Sequence, residues 1–299
     1  MMKQNYIFLS VLLLGMLCAC SEEDALVPEE ADVVSHFMPN LDDNSQEAEL
    51  RREFYSEENS YLLFNDTLYH EFLGTDANGE PYYKTETLDI LYSVGSDNTY
   101  ENNHVYEYLS SYEEKEMAVN FLRAYLLPHF GKQLRPFSWL LVNTIKYPLY
   151  EDVYEYPAVL SGERCIAVSV GKLAEMAEEE KLAFAQSLQV DVLSGALASK
   201  REMDDFYAFG EPLYDQFDFS YMWTPDYAYI CGFLNRKINA STGMAMSAHP
   251  DKTADVNDFL LLVFNNTEEE VLSQFSDYPI VLKKYEIIKD LVVKLGYVF

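Results

Sequence analysis

Basic residues are scarce in this chain: 21 Lys and Arg stand against 50 Asp and Glu in 299 residues, a formal net charge of −29. Nucleic acid and anionic lipid are both drawn to basic patches, so neither is an expected partner. Cysteine is sparser still, with four in all: Cys18, Cys20, Cys165 and Cys231. Cys18 falls in an N-terminal leader, and Cys20 directly follows it. The other two sit in apolar settings where a free buried thiol is the ordinary outcome, so no disulfide framework is implied. The five histidines, His36, His70, His104, His129 and His249, include no pair four residues apart. His70-Glu71 has Gly74 where a second histidine would stand, and His129 and His249, each beside a proline, read as lone histidines of helix ends and loops. Also missing are a Gly-x-Ser-x-Gly elbow, a phosphate-cradling Gly-rich loop, internal repeats and any Pro/Gly/Ser-rich domain boundary.

No apolar run near the start reaches the ~20 residues that a bilayer span needs. The run from Tyr6 to Met16 follows Lys3, the only charge before it, and ends in Leu17-Cys18-Ala19-Cys20. Small residues before a cysteine predict a lipoprotein signal peptide over residues 1–19, cleaved before Cys20. Acylation of Cys20 would then tether the mature protein to a membrane without spanning it. Ser21-Glu22-Glu23-Asp24 resembles the acidic export signal that places lipoproteins on the outer face of the outer membrane in Bacteroides-type bacteria. The expected location is therefore the outer membrane, lipid-anchored and facing the cell exterior. Residues 20–44 read as the lipidated cysteine and an acidic, aperiodic tether, and residues 45–299 as one domain.

Within that domain, Ser45 to Glu57 predicts a helix capped at Asn44 or Ser45. Tyr61 to Phe64 and Thr85 to Tyr92 read as strands, and Glu113 to Phe130 as a helix. Phe137 to Thr144 and Glu163 to Val170 are β-rich by residue type. Val170 to Ala198 predicts one long helix, with Leu173, Met176, Leu182, Leu188, Val192 and Leu193 on one side. Residues 201–250 are aromatic and loop-rich, broken at Gly210, Pro212, Pro225, Gly232 and Gly243. Asp255 to Asn265 and Tyr278 to Gly296 close the chain as helices.

Glu53-Phe54, the run Tyr61-Leu62-Leu63-Phe64-Asn65-Asp66-Thr67-Leu68, Asn120-Phe121, Leu126-Leu127-Pro128, Tyr278-Pro279 and Lys284-Tyr285-Glu286-Ile287-Ile288-Lys289 carry a resemblance. Together they resemble the zinc-binding metallopeptidase lipoproteins of Bacteroides-type bacteria, also called substrate import-associated zinc metallohydrolase lipoproteins, over most of the mature chain. The resemblance implies an α+β, zincin-like fold: a mixed sheet, a long central helix and a helical C-terminal part. In that family the long helix carries His-Glu-x-x-His, which sets two zinc ligands on one helical face and a glutamate beside the metal-bound water. The matching turn here, Ala185-Gln186-Ser187-Leu188-Gln189, has lost all three catalytic letters. On a later helix Asn257, beside Asp258, stands where an acid is expected. The resemblance thus implies a degenerate site at Ala185, Gln186, Gln189, Asn257 and Asp258, with no catalytic residue and no zinc.

Tyr207 to Tyr229 sets aromatic rings among acids, a mixture that suits sugars or peptide side chains. Tyr221, Trp223 and Tyr227 are the expected wall of a ligand cleft, with core packing as the competing role for this segment. Carboxylate pairs such as Asp204-Asp205, or Asp215 with Asp218, read as solvated surface rather than a glycosidase dyad. Asp66-Thr67-Leu68 resembles the three-residue O-glycosylation site of exported proteins in these bacteria. The leading expectation is a surface lipoprotein with an inactive metallopeptidase-like domain, a ligand- or partner-binding accessory in peptide or glycan uptake. Its relatives imply an outer-membrane transporter and capture-lipoprotein pair as partners. The rival is an active metallohydrolase with an altered ligand set, which needs histidines or acids converging in the cleft. A third reading, a purely structural surface component, predicts no cleft.

Overall fold

Capping side chains set the helix starts. In the computed structural model, which describes residues 36–88, 90, 104–150, 153–162, 164–239 and 241–299, Ser45 accepts from the Ala48 N–H and opens α1 (Gln46–Glu58). Ser111 and Glu114 form a reciprocal capping box on α2 (Tyr112–Phe121). The helix expected to run on to Phe130 instead loosens into a π turn (Leu122–Leu126) and a 3₁₀ turn (Leu127–His129). Pro128 has no N–H to continue the α-helical ladder, which ends the regular helix before it. The signal peptide and Cys20 lie outside the described residues. The packed unit, Phe37–Phe299, begins inside the stretch read as tether: Phe37 is buried, its ring is edge-on to Phe137 at 5.0 Å, and its carbonyl accepts from Arg51 at 2.9 Å.

Nine strands follow in chain order among the described residues: β1 (Tyr61–Leu63), β2 (Thr67–Thr75), β3 (Pro81–Thr87), β4 (Val105–Glu107), β5 (Ser138–Val142), β6 (Thr144–Tyr150), β7 (Val153–Glu155), β8 (Val159–Ser161) and β9 (Ile166–Ser169). The central sheet has the order β1-β5-β9-β8, parallel except for its β8 edge. β5 is buried along its whole length, as an inner parallel strand must be. β2 and β3 form a hairpin exposed along most of its length, and β4, β6 and β7 a separate antiparallel sheet. The strand expected at 85–92 instead starts at Pro81 and ends at Thr87, because pairing of His70 with Thr85 and Glu71 with Lys84 sets its register. Its expected end, at Leu91 and Tyr92, lies outside the described residues, as does Glu163 of the later strand.

The long helix α3 (Glu178–Ala198) is shorter than its apolar pattern predicts. Leu173 reaches the core from a turn, outside the helix. The helix begins where Glu180 accepts from the Ala177 N–H at 2.7 Å, with Glu178, Glu179 and Glu180 favoured by the positive end of the helix dipole. Then come α4 (Met203–Ala208), α5 (Tyr227–Ile230), α6 (Lys252–Asn265), α7 (Glu268–Gln274) and α8 (Pro279–Lys294). The sequence reading missed α7, although Thr267 and Glu270 form a capping box on it. Alternate strand residues split the core. Leu62, Leu141 and Val168 face the helices with Leu188, Phe259 and Ile288, whereas Leu63, Leu140, Val142 and Ala167 join Phe37 and Cys165 on the other side. Cys165 and Cys231 are both free. The architecture is mixed α and β, compatible with the α+β class, and among the described residues no helix is long and apolar enough to cross a membrane.

The helical half is organised around a buried ion pair. Lys284 of α8 and Asp255 of α6, both with 0% side-chain exposure, meet at 2.5 Å. The Tyr214 hydroxyl donates to the same carboxylate oxygen at 2.7 Å, and Lys284 also donates to the Gly232 carbonyl at 2.9 Å. Gly232 has φ 82° and lies against Ile280, a position where a side chain would be both strained and blocked. The ammonium stands over the rings of Phe206, Phe259 and Phe233, at 4.3, 4.7 and 4.8 Å from their centroids. Burial pushes the Asp255 carboxyl up and the Lys284 ammonium down, and each charge opposes the shift of the other. Lys284→Met should therefore destabilise the protein by about 3–5 kcal/mol in urea unfolding, because it strands a buried carboxylate. The double change Lys284→Met/Asp255→Leu should recover most of that loss; a double variant as unstable as the single one would show that the stranded charge is not the cause.

Candidate functional site

Residues spaced by three or four along a helix share a face, so Leu182, Ala185, Gln186 and Gln189 of α3 present one surface. That surface floors a cleft of about 390 Å³, within the size of small-molecule sites. The walls are Ala124 and Tyr125 of the π turn, His129, Phe264 near the end of α6, and Tyr297 and Phe299 beyond α8. Single-turn π segments widen a helix locally and recur at functional sites.

Most of the polar groups of the floor are already engaged. Gln189, only 6% exposed, donates from Nε2 to the Tyr125 carbonyl at 3.0 Å and accepts at Oε1 from the Tyr297 hydroxyl at 2.9 Å. Gln186 donates to Asn265 at 2.7 Å, and the Tyr125 hydroxyl donates to Glu178. Tyr297 is stacked between Phe264 and His129, with centroids at 4.9 and 5.6 Å. Burial pushes its hydroxyl up to about 12, so it stays a neutral donor. The strand-like end of the chain is laced to the 3₁₀ turn: the Val298 N–H donates to the His129 carbonyl, the His129 ring meets the Val298 carbonyl, both at 2.9 Å, and the Gly131 N–H donates to the Gly296 carbonyl at 2.8 Å. A carbonyl only accepts, so the His129 ring donates from Nδ1. Among the described residues no Asp, Glu, Lys or Arg lines the cleft.

No family model, curated protein or solved structure matches this chain.

Of the residues singled out in the sequence, Ala185, Gln186 and Gln189 come together in the cleft. Asn257 and Asp258 do not line it. They lie on α6 one heptad before Phe264, which lines the cleft, and Asn265, which bonds Gln186, so they share that face of the helix but sit two turns, about 10 Å, too early. Asp258 bonds Asn235 instead, and burial raises its carboxyl to about 6. The expected aromatic wall is also elsewhere. Tyr221 is buried with Ala228 and Phe233 in a separate small core, its hydroxyl 2.8 Å from His249 Nδ1. Tyr227 packs against that core and donates to Asp218 at 2.6 Å, whereas Trp223 is 80% exposed. Hydrogen bonds from Tyr227 and Ser220 hold the Asp218 carboxyl down at about 2. His70 is exposed on β2, bonded to Thr85 at 2.8 Å and stacked on Tyr83. Sequence reasoning missed Tyr125, Phe264, Tyr297 and Phe299 as cleft residues. Gly296, ending an apolar helix just before Tyr297, was the one local signal.

Asp258 yields a pH-dependent expectation. Its folded value, about 6, exceeds its ordinary 3.8, so the native state holds that proton more tightly than the unfolded chain does. The ionised group then costs stability in full above about pH 6, and the cost fades as pH falls toward 4. Asp258→Asn should stabilise the protein by on the order of 2 kcal/mol at pH 7.5, with little effect at pH 4, in paired urea titrations. Equal effects at both pH values would contradict the assignment.

Proposed function

We propose that this chain is a surface-tethered lipoprotein whose zincin-like domain, related to the zinc metallopeptidase lipoproteins of Bacteroides-type bacteria, no longer hydrolyses. In this reading it holds an uncharged peptide or glycan segment in the cleft over α3, as an accessory to nutrient uptake. The observation that carries the reading is the state of Gln189, whose carboxamide is spent at both ends on Tyr125 and Tyr297. A catalytic zinc needs three protein donors and an open position. Ala185 offers no donor, Gln186 is bonded to Asn265, and Gln189 is neutral and engaged. These residues do not fit a zinc ion, and no hydrolytic step runs through one here. Among the described residues no three His, Cys, Asp or Glu side chains are grouped as metal ligands.

Other parts of the proposal rest on other observations. The mixed sheet with a long helix floored under a cleft supports the zincin-like fold. The Tyr6–Met16 run, Cys20 and Ser21-Glu22-Glu23-Asp24 support lipidation and export to the outer-membrane surface. The family resemblance supports a transporter and capture-lipoprotein pair as partners. A formed cleft favours ligand binding over a purely structural role.

A soluble form starting at Ser21 should contain no stoichiometric zinc by elemental analysis and show no tight zinc uptake by calorimetry. Tight one-to-one zinc would overturn the non-hydrolytic reading in favour of an altered ligand set. With neutral oligosaccharides and uncharged peptides as probes, Phe299→Ala should weaken whatever binds by about tenfold, since it removes an exposed ring from the cleft. Binding untouched by both Phe299→Ala and Gln186→Leu would place the ligand elsewhere.

A further inference from the structure

We propose that the aromatic loops between residues 217 and 244 form a lipid-facing patch that lays the domain on the uncharged surface of a bilayer. Phe217, Phe219, Met222, Trp223, Ile238 and Met244 are exposed by 68, 69, 61, 80, 52 and 65%. The hydrogen bonding makes them neighbours. Phe217 bridges Ala248, whose carbonyl accepts from the Lys237 N–H at 2.9 Å on its other side. Ile238, next along, bridges Ala245, and the Asn239 N–H donates to the Met244 carbonyl at 2.9 Å. Two strand spacings put Phe217 within about 10 Å of the Lys237-Ile238 row. The 3₁₀ turn Phe219–Met222 follows directly, with Trp223 at its end. At 150–250 Å² per aromatic side chain, the three rings alone expose on the order of 400 Å². That already matches the largest apolar patch of an ordinary soluble monomer, about 300–600 Å², before the Met and Ile side chains are counted.

The rings are held outward by a fixed support. Between the outward Phe219 and Trp223, Tyr221 turns in to His249 at 2.8 Å, and Arg236 lies 5.0 Å from the Tyr221 ring while donating to its carbonyl at 2.9 Å. Asp218 caps the turn through the Ser220 N–H at 2.9 Å and accepts from Tyr227. The charged groups of this stretch are engaged. Lys237 pairs with Asp215, Arg236 donates to the Tyr221 carbonyl, and Asp218 accepts from Tyr227 and Ser220. A chain with 50 acids against 21 bases is repelled by anionic surfaces almost everywhere, and this patch, where Asp215, Asp218 and Asp226 accompany Arg236 and Lys237, has no excess of cations for such a surface and suits a neutral one. Trp and Phe rings settle at the headgroup level of such surfaces. Lipid is favoured over a protein partner by the tether, a step that rests on the lipoprotein reading above. Residues 21–36, between Cys20 and Phe37, reach at most about 55 Å when extended, so a bilayer stays at high effective concentration beside the domain.

The protein carries its own reporter: of two tryptophans, Trp139 is 0% and Trp223 80% exposed. A soluble form starting at Ser21, which has no acyl groups, should sediment with phosphatidylcholine vesicles and show a blue-shifted Trp223 emission. Phe217→Ser/Phe219→Ser should weaken vesicle binding by about tenfold or more, and Ile238→Ser/Met244→Ser should act in the same direction. Unshifted emission without sedimentation would overturn the proposal. So would binding that neither double variant weakens, or a lipid-free blue shift that grows with protein concentration, which would assign the patch to a second copy. The tether is tested separately, by mass spectrometry of the N-terminal peptide from the full chain in a lipoprotein-processing host. A missing acyl group there defeats the lipoprotein reading while leaving the vesicle result to stand by itself.

Discussion

The helical half of this protein depends on satisfying one buried ammonium. An unpaired lysine inside a protein costs several kcal/mol, and Lys284 is met on every side: by Asp255, by the Gly232 carbonyl and by three aromatic rings. Those groups come from α4, α6 and the loop around Gly232, so the solvation of one charge fixes three segments against α8. The cleft lies further along the same two helices. Phe264 is nine residues beyond Asp255 on α6, roughly 13 Å along the axis, and Tyr297 follows the end of α8. A pair that fixes the crossing of α6 and α8 therefore also fixes the ring stack of Phe264 on Tyr297.

From that stack the constraint passes to Gln189. The Tyr297 hydroxyl holds the glutamine oxygen, and the glutamine nitrogen holds the Tyr125 carbonyl offered by the π turn. Three segments distant in sequence thus meet through one carboxamide, with both of its ends satisfied in a largely buried place. A buried amide left half-bonded would cost about 1–3 kcal/mol, so the same glutamine cannot also serve an ion without giving up part of the packing. The chemistry left to the cleft is that of shape, ring edges and the remaining polar atoms of Gln186 and His129.

Much of the scaffold was legible because local signals agreed with the tertiary result. Ser45, Ser111 and Glu114 announce their helices, and the unbroken apolar run of β5 announces an inner strand. The reading failed where packing used a residue outside its apparent period. Leu173 continues the apolar pattern of α3 from a turn, which lengthened the predicted helix, and Pro128 ended α2 as a regular helix earlier than its apolar spacing suggested. At the cleft, Ala185, Gln186 and Gln189, singled out through the family resemblance, come together because helical spacing puts them on one face. Asn257 and Asp258 had the right helix and face but the wrong level, since sequence carries no measure of how far along α6 the neighbouring α3 crosses. Alternation inside the 3₁₀ turn, with Phe219 out, Tyr221 in and Trp223 out, is invisible to composition, which is why Tyr221, Trp223 and Tyr227 were read as one wall. Lys284 could have been noticed, for it falls in the stripe of Val281, Ile288 and Leu291 where only apolar residues pack without a partner.

The distribution of charge gives the cleft and the exposed patch a common logic. With 50 acids and 21 bases, most of the surface carries a negative field, screened beyond about 8–10 Å at physiological salt. Among the described residues no Asp, Glu, Lys or Arg lines the cleft, and in the patch Asp215 is paired with Lys237 while Asp218 accepts from Tyr227 and Ser220. Each is a gap lined by rings, with no excess of cations in it. A polyanion approaching either must cross an acidic surround and finds no cation at the end, whereas a neutral sugar, an uncharged peptide or a zwitterionic headgroup loses nothing on the way. Selection by sign thus comes from the whole surface, and selection by shape is left to the few rings exposed within each gap.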